Sequence, residues 1–199
     1  MPAGFANEVA ACAARLIVEE GMEYGPAKRR AARDLGRHKS RSADLPDNQA
    51  IEDEVRTYLA LFCGDTQPAE LAALRKIAKE WMQRLVGFRP HLAGAVWRGT
   101  ATRNNDVHLQ LFCDDPKSAE ITLLNMGVDF AVGTTTGLQG QSIDVLSITA
   151  PSQEFGMPVT VHLAVHDHDE LRGALRPDDS GRARRGDLNA LSRLEAQQP

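Results

Sequence analysis

The chain has 199 residues, of which 42% are hydrophobic and 25% charged, and a formal net charge of −4. These proportions suit one folded domain, or a small core with a helical extension. They exclude a global electrostatic pull toward nucleic acid.

No apolar run approaches the ~20 residues of a membrane helix, and no basic-then-apolar leader opens the chain. Cys12, Cys63 and Cys113 are far apart and odd in number. They give no zinc spacing and read as reduced, buried thiols of a cytoplasmic protein.

Residues 6–86 read as helical. Val9, Cys12, Leu16 and Ile17 share one face at helical spacing, and Gly21 is a stop signal. Pro26 opens a second helix with Ala27, Ala31 and Leu35 on one side and Gly36 at its end. Two short helices with a turn also fit a helix-turn-helix DNA reader, but no third helix is evident. The basic clusters Lys28-Arg29-Arg30 with Arg33, and Arg182 with Arg184-Arg185, read as solvated faces or tail. Arg37–Asn48 is polar and linker-like. Ile51, Val55, Tyr58, Leu59 and Phe62 form the next stripe. Leu71, Leu74, Ala78, Trp81, Met82 and Leu85 continue it after Thr66-Gln67-Pro68. These stripes are core.

The period changes after Pro90. Leu92–Trp97 has the length of a strand and is closed by Gly99. From Asp106 to Phe112 the residues alternate: Val107, Leu109 and Leu111 point one way, and Asp106, His108 and Gln110 the other. Asp115-Pro116 starts a helix that Gly127 ends. Val128–Val132, Gln141–Thr149 and Pro158–Val165 read as strands. A charged tail broken by Pro177, Gly181 and Gly186 closes with a short helix at Asp187–Leu194. Helices grouped ahead of a sheet make the class α+β. The expected division is a helical region over 1–87, a core over 88–170 and a tail over 171–199.

Transfer of a nucleotidyl group needs a seat for the triphosphate, divalent metal and a positioned nucleophile. Two ions ~4 Å apart commonly activate the attacking oxygen and neutralise the leaving one. Magnesium wants hard oxygen ligands, which carboxylates at i and i+2 of a strand supply from one face. In this chain Gly99-Thr100 precedes Asp106-Val107-His108-Leu109, and Asp144 lies between Ile143 and Val145 on a later strand. The stretch 92–150 resembles the catalytic core of the nucleotidyltransferase superfamily, in which a Gly-Ser turn precedes Asp-x-Asp and a third acid follows. Here threonine stands for serine and His108 for the second acid.

The resemblance implies a nucleotidyltransferase-like mixed sheet flanked by helices. It implies Asp106 and Asp144 as catalytic residues, and Asp106, His108 and Asp144 as ligands of divalent magnesium or manganese. Gly99 and Thr100 would seat the phosphates, with Arg98 and Arg103 balancing their charge. The implied partner is a nucleoside triphosphate, with the acceptor unspecified. Nucleic acid is another candidate partner that net charge does not indicate. His108 departs from the pattern: imidazole is neutral near pH 7 and favours softer metals. The alternative is therefore a catalytically inactive nucleotide- or RNA-binding or regulatory module of the same fold.

A second histidine group, His162, His166 and His168 with Asp167 and Asp169, ends the last strand. His162 and His166 share its even face, roughly 13 Å apart at strand rise, too far for one ion. Trp97 reads as core, with stacking on a base as the other option.

Overall fold

The computed structural model describes residues 3–36, 45–178 and 181–197. Residues 37–44 of the expected linker lie outside the described residues. The chain forms two compact units: residues 1–71 with 100–105, and residues 72–99 with 106–199. Among the described residues, no helix is long and apolar enough to cross a membrane.

The first unit holds α1 (Ala3–Glu20), α2 (Tyr24–Asp34), α3 (Asn48–Phe62) and the opening turn of α4 (Gln67–Arg84). Val9, Ala13, Leu16 and Ile17 of α1 pack with Ala27 and Ala31 of α2 and with Ile51, Val55 and Leu59 of α3. All recur at i, i+3 or i+4, so each helix buries one stripe. Buried Glu52 is satisfied by Arg56 at 2.9 Å and by the Tyr24 hydroxyl. Arg30, from the first basic cluster, is engaged by Glu20.

The polar stretch 100–105 works here as the terminal cap of α1. The Asn104 side-chain amide donates to the carbonyls of Val18 and Glu19 at 3.2 and 3.0 Å, and the Thr102 hydroxyl donates to Val18. These bonds satisfy carbonyls that a helix end leaves without partners. Gly21, at φ +66°, lets the chain leave α1 where any Cβ would meet the Asn104 carbonyl.

The second unit is built on a six-stranded sheet of order β3-β4-β5-β2-β1-β6. Its strands are β1 (His91–Ala93), β2 (Val107–Cys113), β3 (Phe130–Thr136), β4 (Ser142–Ala150), β5 (Val159–Asp167) and β6 (Arg185–Gly186). Among the described residues only β2 and β5 pair in parallel; the other pairings are antiparallel. The fold is therefore α+β with a mixed sheet, as the grouping of elements implied.

One side of the sheet is a dry core: Val107, Leu109 and Leu111, Val161, Leu163 and Val165, and Leu146 with Ile148 are all essentially inaccessible. Helix α6 (Pro116–Asn125) is capped by the Asp115 carboxylate at the Lys117 N–H and buries Ala119 and Leu123.

One expectation fails here for a local reason. Leu92–Trp97 is not one strand, because β1 stops at Ala93 and α5 (Gly94–Arg98) follows. Gly94, at φ +73°, breaks the extended backbone. The short helix expected near the end of the chain is α8 (Leu188–Ala196), whose Leu191 is fully buried, and it follows α7 (Leu171–Ala174) and the edge strand β6. The Trp97 indole N–H donates to the Ala183 carbonyl at 2.7 Å, and its ring occupies the space a side chain at Gly186 would need. Trp97 is thus core.

Candidate functional site

The side of the sheet opposite the dry core carries the polar residues, and strand register sets their order. His108 of β2 pairs with His162 of β5, and His162 pairs with Ser147 of β4. One row across three adjacent strands therefore brings these three side chains together. Asp106 precedes β2 by one residue, shares the face of His108 and lies diagonal to His162.

The contacts follow from that geometry. The His162 imidazole is held at both nitrogens, with Nδ1 2.8 Å from the Ser147 hydroxyl and Nε2 3.2 Å from Asp106 Oδ2. The His108 and His162 rings stack with centroids 5.0 Å apart. Asp106 is exposed and His162 half-buried. The hydrogen bond to His162, aided by a bond from Thr160 and by nearby His108, holds the Asp106 carboxyl below the usual carboxylate range, although burial opposes this. Asp106 is thus ionised at neutral pH and can only accept hydrogen bonds.

The other expected residues lie elsewhere. Asp144 pairs with Thr134, and in β4 its parity matches core residues Leu146 and Ile148 rather than Ser147. It therefore belongs to the opposite side of the sheet from Asp106 and His108, and the expected metal triad of Asp106, His108 and Asp144 does not assemble. Its polar nature between Ile143 and Val145 comes from its place near the start of β4, beyond the buried stretch.

Gly99, expected to present its amide to phosphate, is the left-handed cap of α5 (φ +81°), and its N–H donates to the Ala95 carbonyl. Thr100 is buried and belongs to the first unit, as does Arg103, whose backbone N–H donates to Glu70 at 3.0 Å. Arg98 ends α5 and is half-buried.

A pair of magnesium ions does not fit this side of the sheet. Hard cations need several oxygen ligands, and among the described residues Asp106 is the one carboxylate hydrogen-bonded to this histidine pair. Among the described residues, no group of three His, Cys, Asp or Glu side chains is arranged to hold a metal ion.

His166 and His168 separate from His162 as strand spacing requires. His168 is 3.7 Å from Asp114. His166 is 2% exposed and stacks on Phe112 at 5.2 Å, with Nδ1 2.9 Å from Glu170 Oε2. Burial pushes the His166 pKa below its ordinary value, overcoming the opposing pull of Glu170. The unfolded chain therefore binds the proton first on acidification. The stability that His166 contributes is complete above about pH 6.5 and is lost as pH falls from there through the lowered folded value. Denaturation midpoints should drop between pH 7 and pH 5, and His166→Phe should flatten that part of the profile.

Strand alternation had placed His162 on the even face of its strand without a partner, and it missed Ser147. Odd-even alternation could have marked Ser147 as outward, but its meeting with His162 depends on the β4–β5 register.

No protein-family model and no curated protein matches the chain. Among solved structures it is similar to Cid1 poly(U) polymerase bound to MgGTP, at 14% identity and a TM-score of 0.35, over 56% of this chain and 38% of that one. It is likewise similar to Cid1 in complex with its short product ApU, at 15% identity and a TM-score of 0.36, over 58% of this chain and 38% of that one. The chain thus spans less than two-fifths of the length of these structures.

Proposed function

We propose that this chain is a nucleotidyltransferase-like protein. In this reading its second unit binds a nucleoside triphosphate on the polar side of β2 and β5 and passes the nucleoside monophosphate to an acceptor hydroxyl. One observation carries the reading: Asp106 and His108 stand on one open side of the central strand β2, with His162 level with His108 on the parallel neighbour β5. Asp106, ionised and hydrogen-bonded to His162, takes the proton of the attacking hydroxyl. The new bond forms from that oxygen to the α-phosphorus, and pyrophosphate leaves.

The test uses the whole chain with each nucleoside triphosphate labelled at the α-phosphate, alongside a binding titration. Expected is transfer that falls about 100-fold or more in Asp106→Ala, with the circular dichroism spectrum unchanged. Nucleotide binding without transfer would instead support the second reading, a binding or regulatory module. His108 in place of an acid, and Asp144 on the far side of the sheet, favour that reading. Absence of nucleotide binding would reject both.

A further inference from the structure

Nucleotidyl transfer makes no use of the Ser147 hydroxyl, yet it is hydrogen-bonded to an imidazole that Asp106 holds from the other side. Asp106 and Ser147 flank one imidazole, Asp106 at Nε2 and Ser147 at Nδ1. An ionised carboxylate accepts only, so the bond at Nε2 requires the imidazole proton there. The lone pair of neutral His162 is then on Nδ1, and the Ser147 hydroxyl must be the donor across that 2.8 Å contact. A hydroxyl aimed at a base, with the base held by a third group, is the arrangement that activates a nucleophile. It is set by strand register and not by a mobile loop. Ser147 pairs directly with His162 on one side and with exposed Ala131 of β3 on the other. The small Ala131 side chain leaves the hydroxyl open from the β3 edge.

We propose that Ser147 is a nucleophile toward phosphorus(V) centres that carry a good leaving group, with His162 its general base and Asp106 the group that orients His162. In the step, Ser147 Oγ forms the bond to phosphorus, the bond to the leaving group breaks, and the hydroxyl proton moves to His162 Nδ1. The imidazolium so formed keeps its Nε2–H bond to Asp106. Neither a nucleotide nor a metal enters the step, so this inference stands or falls separately from the nucleotidyl reading.

The probe is an alkyl fluorophosphonate, whose phosphorus takes the serine oxygen as fluoride leaves. The full-length chain is treated with the probe and the adduct is located by peptide mass mapping. Expected is a single adduct on Ser147, absent from Ser147→Ala. The labelling rate should fall about 100-fold or more in His162→Ala. His162→Gln keeps hydrogen-bonding capacity and most of the volume but cannot take the proton, and it should lose the same factor. Circular dichroism on each variant checks that the sheet is intact. The proposal is overturned if the wild-type chain gives no adduct at Ser147, or if the Ser147 rate is unchanged in His162→Gln, the behaviour of an ordinary surface hydroxyl.

Discussion

Replacing Leu163 with alanine is expected to lower the free energy of unfolding by about 3–4 kcal/mol, among the larger costs a core truncation produces. Leu163 is fully buried on β5, between Leu109 of β2 and Leu146 of β4, both also inaccessible. Three leucines in one row across the middle of a sheet leave no neighbour free to fill the vacated space. The cost therefore combines lost burial with a persistent cavity. Urea denaturation should show a lower midpoint with an unchanged slope. Thr149→Ala, at an exposed position two residues along β4 from Ser147, should stay within about 0.5 kcal/mol of the parent. A Leu163→Ala protein as stable as the parent would contradict the register.

The second large effect is expected at Glu170. Its side chain is 4% exposed, with Oε2 accepting from His166 Nδ1 and Oε1 from the Gln141 amide. Glu170→Ala strands the buried His166 Nδ1–H, while the exposed Gln141 amide turns to water, so about 2–4 kcal/mol of stability should be lost. Most of that cost belongs to the deserted partner and not to the carboxylate. A Glu170→Leu, His166→Phe double variant should therefore recover most of it, since Phe112 already offers His166 an aromatic neighbour. A double-mutant cycle measures the coupling. Additive losses would mean that the two side chains do not interact.

This buried pair continues the polar side of β5 beyond His162. The same strand thus places one histidine in a buried pair with Glu170 and another in an open group with Asp106 and Ser147. Strand periodicity puts both on one side, and only the cover over each decides which can meet a substrate.

Much of the fold was legible in the chain itself. The stripe Val9, Leu16, Ile17 announced α1, and Ile51, Val55, Leu59 announced α3, because a helix buries every third or fourth residue. The alternation from Asp106 to Phe112 put Asp106 and His108 on one side of β2, because successive strand residues point to opposite faces. The α+β class followed from the order of these signals.

Tertiary pairing decided the rest. Asp144 looked outward by its apolar neighbours, but the β4–β5 register assigns it to the core side and gives its expected place to Ser147. Gly99 looked like a strand end and proved to be a helix cap, because Gly94 had already turned the chain. The two-residue strand β6 is too short for any period to reveal. Local sequence sets the face of each residue within its own strand. Which residues stand level across neighbouring strands depends on long-range hydrogen bonding, and that alone set His108, His162 and Ser147 in one row with Asp106 diagonal to His162.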